Sequence, residues 1–477
     1  MAAEEHYDLV VVGAGPGGYM ASVRAAQLGL KVACIEKEPH PGGICLHYGC
    51  IPSKALLDSS EYYLLAKERL AAHGIQVGEL TFDLSAMMAR KAEIVRGLAE
   101  SVSKLLAGNR VEIVRGTGRL TAEDTVQVTL PGDERSSSGG AHRILKGNAI
   151  LLATGSEPVA LPSLPFDGRH ILSSTEALAL PAVPRHLAII GGGYIGLELG
   201  SVWRRLGAQV SVIEMLPHIA ASLDAQTRRA MERALSRQGF QFYLETKVSR
   251  AQVVDDEVHL TVESSRGEEL MRCDRLLVAV GRRPLTAGLG LEAVGVKLTP
   301  GTGRIAVDTR YRTNIPSIYA IGDLVDGPML AHKASAEGVA AVEGMVGLPG
   351  EVNYDTIPAV VYTSPEVASV GLTEEAVKTR GVEYSIGVVP FAGIGRARSL
   401  GETEGFAKII AHARTDRVLG VHLIGPRVSE LIAACVMAME FNARAEDIAR
   451  VVHGHPTLSE AVHEAAMAVK KQVAHRP

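Results

Sequence analysis

Two segments of this chain repeat one pattern in register. The first, YDLVVVGAGPGGYMASVRAAQLGLKVACIEK, is an apolar strand, then Gly13-x-Gly15-x-x-Gly18 opening a helical run, then a second apolar strand closed by Glu36. The second, RHLAIIGGGYIGLELGSVWRRLGAQVSVIEM, repeats it with Gly191, Gly193, Gly196 and Glu214. Glycines and terminal acid are displaced by the same 178 residues (191 − 13 and 214 − 36). In a strand-helix-strand setting the first glycine makes the tight turn and the second lets backbone approach a pyrophosphate. The third lets helix pack on strand, and the helix N-terminus offers unpaired N–H groups to phosphate. One such pattern is also satisfied by an ordinary strand-to-helix turn without ligand. Two in-register copies, each closed by Glu, point to two dinucleotide sites. An acid at the ribose position accepts from free hydroxyls and repels a 2′-phosphate, so NAD is expected over NADP at the second site. Arg204 and Arg205 on the intervening helix leave NADP open.

At 477 residues the chain exceeds the roughly 250–300 that one core holds, and about three domains are expected. The net charge of −4 argues against a nucleic-acid or membrane-surface binder. No apolar run approaches the ~18 residues a bilayer span needs. The N-terminal MAAEEHYDLVVVG has no basic segment followed by an apolar run and carries acids where a transit peptide avoids them, so a cytoplasmic protein is expected. Glycines mark the strand ends ILLATGSEP, LLVAVGRRP and IYAIGDLVD, where open α/β sheets place ligands; Asp323 in the last reads equally well as a turn or helix-cap aspartate. PGDERSSSGGAHR, from Pro131 to Arg143, reads as a polar hairpin tip or surface loop. From about Glu351 the character changes. Alternation in IPAVVYTSPEVASVGL and GFAKIIAHARTDRVLGVHLIG predicts antiparallel strands, followed by helices from Ser429 to Phe441 and from Leu458 to Val473, a separate α+β module.

The stretch GGICLHYGCIPSK places Cys45 and Cys50 just after the first ribose acid, in a chain with five cysteines. Metal binding needs more soft ligands at suitable spacing, but Cys34, Cys273 and Cys435 are scattered singly and His47 is the one imidazole nearby, so no metal site is expected. Two structural thiols remain the plain reading; proximity to whatever the dinucleotide carries favours a redox couple. Five positions of regular helix advance ~7.5 Å, while bridged Cα atoms lie within ~7 Å, so a bridging pair requires a broken helix. Gly42, Gly43 and Gly49 permit the break, and clean helix is expected from Pro52 onward. A dithiol between two nucleotide sites fits an electron relay from nicotinamide through flavin to sulfur. Thiolate is the attacking species, so a base is required. HGHPTLSEAVHEA offers His455, with Glu460 five residues on to orient it. A Thr457-x-x-Glu460 capping box and ordinary loop histidines would account for the same residues.

The ordered set GAGPGG, GGICLHYGCIPSK, ATGSEP, GGGYIGLELG, AVGRRP, YAIGDL, MLAHKASAEG, YTSPEVASVGLTEE, GRARSLGETEGFAKII and HGHPTLSEAVHEA resembles the dihydrolipoamide dehydrogenase family, within the flavoprotein disulfide reductases, over essentially the whole chain. The resemblance implies an α/β fold with two Rossmann-like dinucleotide-binding domains, for FAD and NAD, and a C-terminal α+β dimerisation domain. The expected boundaries are 1–157 for the first part of the FAD domain, 158–286 for the NAD domain, 287–353 for the second FAD or central part, and 354–477 for the interface domain. It implies FAD at the first fingerprint, with Glu36 on the adenosine ribose and Gly118 near the adenosine end. Lys54, Thr154, Gly155, Ser156 and Asp323 would line the flavin, with Met329, Leu330, Ala331 and His332 nearby. NAD would sit at Gly191, Gly193, Gly196, Glu198 and Glu214, with Val248 and Gly281 close by. Glu198 is expected to pair with Lys54. Tyr194 resembles the gating tyrosine of glutathione reductases, or else is an aromatic packed between domains.

The implied reaction oxidises a dihydrolipoyl group. His455, oriented by Glu460, generates the thiolate, Cys45 is the interchange thiol, and Cys50 passes the electron pair to FAD and so to NAD+. Homodimers in which His455 of one subunit serves the disulfide of the other are implied, as are lipoyl-bearing partners from 2-oxo acid dehydrogenase or glycine cleavage complexes. The alternatives are an NAD(P)H-dependent reductase of another small disulfide and a non-catalytic flavoprotein sensor or scaffold. Against the family pattern GGTCLNVGC, Ile44, His47 and Tyr48 stand out, and a protonated His47 is expected to lower a nearby thiol pKa.

Overall fold

A computed structural model describes residues 4–132 and 142–471. Most of the expected hairpin tip between Pro131 and Arg143 therefore lies outside the described residues. The chain forms two compact units, one made of 1–55, 86–159 and 281–352, the other of 56–85, 160–280 and 353–477. Each is built around one copy of the repeat.

In the first unit, the strand Glu4–Val12 pairs in parallel with Val32–Glu36 on one side and His142–Leu152 on the other. Glu112–Arg115 extends the sheet past Val32–Glu36. The long strand His142–Leu152 uses its far edge twice, antiparallel to Thr125–Thr129 in its first half and parallel to Ile318–Ala320 in its second. Near-continuous apolar runs such as Leu9–Val12 and Ile150–Leu152 are what a sheet covered on both faces requires. Against it lies the helix Pro16–Gln27, crossed by the helix Ala331–Met345. The two helices touch through glycines. A Cβ on Gly338 would come within 2.5 Å of the Gly17 carbonyl oxygen, and one on Gly17 within 2.9 Å of that of Ala334.

In the second unit, the parallel sheet runs Phe240–Tyr243, Gln209–Ile213, His186–Ile190, Arg275–Val278, Ile171–Leu172 in spatial order. An antiparallel meander, Lys247–Val254, Glu257–Ser264 and Gly267–Cys273, joins it. The C-terminal part is an antiparallel sheet in the order Ala359–Val361, Glu366–Gly371, Val418–Gly425, Phe406–His412, Tyr384–Pro390. Both apolar runs expected to pair there do so. Helices Val428–Glu440 and Glu460–Val469 pack on this sheet. The second is shorter than its apolar spacing predicts: Thr457 and Ser459 spend their hydroxyls on each other and on the Gly454 carbonyl, which keeps 457–459 out of the helix.

A cluster of buried charges in this unit is paired. Lys408, 1% exposed, lies 2.9 Å from the fully buried Asp224 and 2.7 Å from Glu374. Asp224 also caps the helix Ala225–Arg237 by accepting the Gln226 N–H, so one carboxylate joins the helix to the C-terminal sheet. Burial pushes the Glu374 carboxyl up, but hydrogen bonds from Lys378 and Lys408 outweigh it and bring it down to about 2 from an ordinary 4.5. Stability from that shift is present above pH 4.5 and drains away as pH falls toward 2. Replacing Asp224 with Ala leaves the buried Lys408 with Glu374 and takes away the helix cap, and should cost about 1–3 kcal/mol, measured as a lower midpoint of thermal or urea unfolding.

Candidate active site

The two glycine loops share a geometry in which packing, not ligand, explains two of the three glycines. Gly13 and Gly191 have φ of +103° and +104°, and a Cβ on either would fall 2.5 Å from a carbonyl oxygen, that of Ala153 or Ala279. A Cβ on Gly18 would lie 1.8 Å from the Gly13 oxygen, and one on Gly196 2.7 Å from the Gly191 oxygen. The middle glycines differ. A Cβ at Gly193 meets no atom within 4 Å, and one at Gly15 meets only the Gly43 Cα at 3.8 Å. The protein's own packing does not demand glycine at these two positions, which suits positions kept bare for a pyrophosphate. Neither helix that follows has a side-chain cap, so the N–H groups after Gly15 and Gly193 are free to meet phosphate oxygens.

The terminal acids also hold the loops together. Glu36 accepts from the Ala14 N–H at 3.0 Å and from Glu38 at 2.9 Å. Glu214 accepts from Gly192 at 2.7 Å and from Leu216 at 2.9 Å. Burial raises the Glu36 carboxyl, with these N–H groups opposing. Arg204 donates to the Gln238 and Ala208 carbonyls, and Arg205 is buried against Glu61 and the Leu57 carbonyl. Both arginines that left NADP open are thus committed to structure. Tyr194 shares a 2.6 Å hydrogen bond with Ser222, and the Glu198 carboxylate accepts the Tyr362 N–H at 3.0 Å. Val248 begins the meander at a bulge, just beyond the Thr246 N–H that bonds the Glu214 carbonyl.

The cysteine segment is seated on the first loop. The Gly42 N–H bonds the Ala14 carbonyl at 2.8 Å, and Gly43 lies so close to Gly15 that a Cβ would come within 2.6 Å of its Cα. The helix Gly43–Tyr48 stops at Gly49, and a second runs Cys50–Leu64. The expected break is there, but the second helix starts at Cys50, before Pro52. Proline fits in a first turn, where an N–H has no intrahelical acceptor, and the turn is closed by Ser53 N–H to the Gly49 carbonyl. A side chain at Gly49 would lie 3.3 Å from the Cys45 Cα, so its absence lets the two turns close on each other.

Cys45 and Cys50 are both thiols, and one hydrogen-bonds the other. That bond first, then burial, holds the Cys45 thiol far above the ordinary thiol range, with the Lys54 charge pulling the other way. The hydrogen bond and the burial both favour the protonated form at Cys45. His47 Nε2 lies 3.1 Å and 3.2 Å from the His40 and Pro41 carbonyls.

Ser156 donates a short hydrogen bond to Asp323 and accepts from Arg282 Nε at 2.8 Å, while Arg282 also holds the Ser156 carbonyl at 2.6 Å. Asp323 is thus no helix cap. Its turn, Gly322–Leu324, is pinned by the buried pair Lys333–Glu337, which bonds the Gly322 carbonyl and N–H. Thr154 donates to the Leu285 carbonyl, and Gly155 makes the turn at φ +75°. Leu330 caps Ala331–Met345 by backbone alone, next to Met329 and His332. Gly118 is bare for packing, facing Val12 and Ile35, and Gly281 turns at φ +133°. Sequence reasoning overlooked Arg282, whose charge interacts with Cys50 and Asp323, and Tyr19, whose hydroxyl is raised by burial and then by Cys45. Both sat inside motifs from which only glycines were taken.

In the second unit, His455 Nδ1 lies 2.8 Å from Glu460 Oε1, and the other carboxylate oxygen accepts the Thr457 N–H at 2.8 Å. A loop N–H and an imidazole thus share one carboxylate, and no capping box forms, because the helix begins at Glu460 with Ser459 as its cap and the Thr457 hydroxyl is spent within the loop. Burial pushes Glu460 up, but these hydrogen bonds and the charges of His455 and His463 outweigh it and keep it ionised. With Nδ1–H donated to Glu460, His455 Nε2 carries the lone pair, and the ring is 79% exposed. Among the described residues there is no cluster fit for a metal ion and no helix long and apolar enough to cross a membrane.

Residues 7–338 match the model of the pyridine nucleotide-disulphide oxidoreductases, and 357–466 that of their dimerisation domain. Dihydrolipoyl dehydrogenase 3 of Pseudomonas putida is 49% identical over 97% of this chain and 98% of its own length. The mitochondrial dihydrolipoyl dehydrogenase of Pisum sativum is 47% identical, over 99% of this chain and 93% of its own. The crystal structure of LpdA from Mycobacterium tuberculosis superposes with a TM-score of 0.88 at 27% identity, covering 97% of this chain and 99% of that one.

The two kinds of glycine should separate by experiment. Gly193→Ala is expected to keep the thermal midpoint while raising the Kd for NAD+, read by titration calorimetry. Gly196→Ala drives a methyl into the Gly191 carbonyl and should cost about 1–3 kcal/mol of stability.

Proposed function

The chain belongs to the pyridine nucleotide-disulphide oxidoreductases, and within that family we propose the activity for which its relatives are named, oxidation of dihydrolipoyl groups to lipoyl disulfide with reduction of NAD+. The observation that carries it is the pairing of two unlike thiols, Cys45 and Cys50, seated on a dinucleotide loop, with a carboxylate-oriented imidazole in the same chain.

FAD and NAD are its cofactors, and FAD supplies the step that takes an electron pair from sulfur and delivers it as hydride to the nicotinamide. The first loop, with Gly13, Gly15, Gly18, Glu36, Lys54, the Thr154–Ser156 turn and Asp323, is the FAD site in this reading. The loop of Gly191, Gly193, Gly196 and Glu214 is the NAD site. His455 Nε2 takes the proton of one dihydrolipoyl thiol while Glu460 stabilises the imidazolium. The thiolate attacks Cys45 Sγ of the Cys45–Cys50 disulfide, and the S–S bond breaks with its electron pair on Cys50, where the Arg282 charge stabilises a thiolate. The imidazolium gives that first proton up to solvent, and the regained Nε2 lone pair takes the proton of the second dihydrolipoyl thiol, whose sulfur attacks the substrate sulfur bonded to Cys45. Lipoyl disulfide leaves, and Cys45 takes the second proton from the His455 imidazolium.

The dimerisation segment 357–466 includes His455 and the exposed Phe441, Val451 and Val452. The proposal extends to a cytoplasmic homodimer in which His455 of each subunit serves the disulfide of the other, and to lipoyl-bearing subunits of 2-oxo acid dehydrogenase or glycine cleavage complexes as partners.

Purified holoenzyme should form NADH from dihydrolipoamide, with NADP+ a far poorer acceptor; a yellow protein that forms none would favour a sensor. His455→Gln should lower kcat by about 10²–10⁴ while sparing flavin binding. Mixing inactive Cys45→Ser and His455→Gln dimers under subunit exchange should restore about a quarter of wild-type activity, because half the dimers then hold one intact site. A mixture that stays dead would place both groups within one subunit.

A further inference from the structure

The segment that carries His455 holds two more imidazoles, and they face each other. The rings of His453 and His463 stack with centroids 4.8 Å apart and planes 19° from parallel. Each also contacts a backbone carbonyl, His453 Nδ1 at 2.9 Å from that of Val451 and His463 Nε2 at 3.0 Å from that of Ala449. A carbonyl only accepts, so these contacts decide which nitrogen of each neutral ring carries its proton. His463 lies three residues beyond Glu460 on Glu460–Val469, and Ala449 belongs to the helix Ala445–Arg450. The stack therefore joins the loop that carries His455 to the helix that carries Glu460 and to the helix before the loop.

That loop has few other anchors. Val452 is 95% exposed and Val451 59%. Its remaining ties include the Thr457 N–H to Glu460 and the Thr457 hydroxyl to the Gly454 carbonyl. The charged side chains of Ala445–Arg450 are committed elsewhere, Glu446 to Arg450 and Lys470, and Asp447 to Arg444. On the helix side, His463 lies close enough for its charge to act on Glu460.

We propose that His453 and His463 are positioning residues for thiol-proton transfer, their stacked rings setting the place of the His455–Glu460 pair without exchanging protons with substrate. This rests on the reading of His455 as the base. The ring face and the N–H donor make separable contributions. Gln at 463 keeps a donor toward the Ala449 carbonyl and gives up the ring, whereas Phe keeps the ring and gives up the donor.

The test uses holoenzyme of the wild type, His463→Gln and His463→Phe. Each is assayed with dihydrolipoamide and NAD+ across about pH 5.5–9, a range centred near the ordinary imidazole pKa, and with NADH and ferricyanide, a reaction that needs no imidazole base. For His463→Gln the proposal expects kcat with dihydrolipoamide to fall about tenfold with KM nearly unchanged. The acid limb should move to lower pH, because a slackened Glu460 stabilises the His455 imidazolium less. The ferricyanide rate should hold, and His463→Phe should recover most of the loss. Wild-type kcat and pH profile in His463→Gln overturn the proposal. So does parallel loss in both assays, or a Phe variant no better than Gln. A wild-type enzyme that makes no NADH from dihydrolipoamide would instead sink the functional reading beneath it.

Discussion

Backbone touching backbone at Gly15 and Gly43 is the contact on which the redox half of this protein depends. Glycine at 43 lets the cysteine segment lie against the first glycine loop, because a methyl there would come within 2.6 Å of the Gly15 Cα. With Gly42 tied to the Ala14 carbonyl, the segment is seated before its helix begins, and Gly49 then breaks that helix so that Cys45 and Cys50 meet. Proximity of the sulfurs to the first glycine loop is thus a steric result, reached by leaving side chains out.

Polar groups do the complementary work of holding the loops in shape. Glu36 and Glu214 each strap a glycine turn through two backbone N–H groups, so the acid that would meet a ribose is already oriented by the protein. Buried pairs act in the same way at a distance. Lys333–Glu337 pins the turn that carries Asp323, and Lys408–Asp224 ties a helix of the nucleotide-binding sheet to the C-terminal sheet. A buried charge is costly when unpaired, so each pair specifies one arrangement of the elements it joins more than it adds to stability.

Much of this was legible in the sequence. The two glycine fingerprints, their strands and helices, and the helix break between the cysteines follow from spacing alone, because glycine at fixed offsets and apolar periodicity report local backbone geometry directly. The His455–Glu460 pair was legible only as one of two readings, since a capping box uses the same residues. The structure pairs the imidazole with one carboxylate oxygen and the Thr457 N–H with the other, without a capping box, because the helix starts only at Glu460. Arg282 and the His453–His463 stack were not legible. Nothing local marks an arginine that reaches Ser156 across 126 residues, or two imidazoles that meet because one sits on a loop and the other on a helix.

By itself the sequence determined the local conformations, namely two strand-turn-helix loops built to take phosphate, two cysteines with a break between them, and an acidic ribose position at each loop. Tertiary structure decided which side chains are left free to act. It committed Arg204 and Arg205 to carbonyls and a carboxylate, set His47 Nε2 beside backbone carbonyls, and buried Cys45 in a hydrogen bond with Cys50. The physical reason is that turns and periodicity are set by neighbours along the chain, whereas the proton affinity and reach of a side chain are set by burial and partners brought from far away in it.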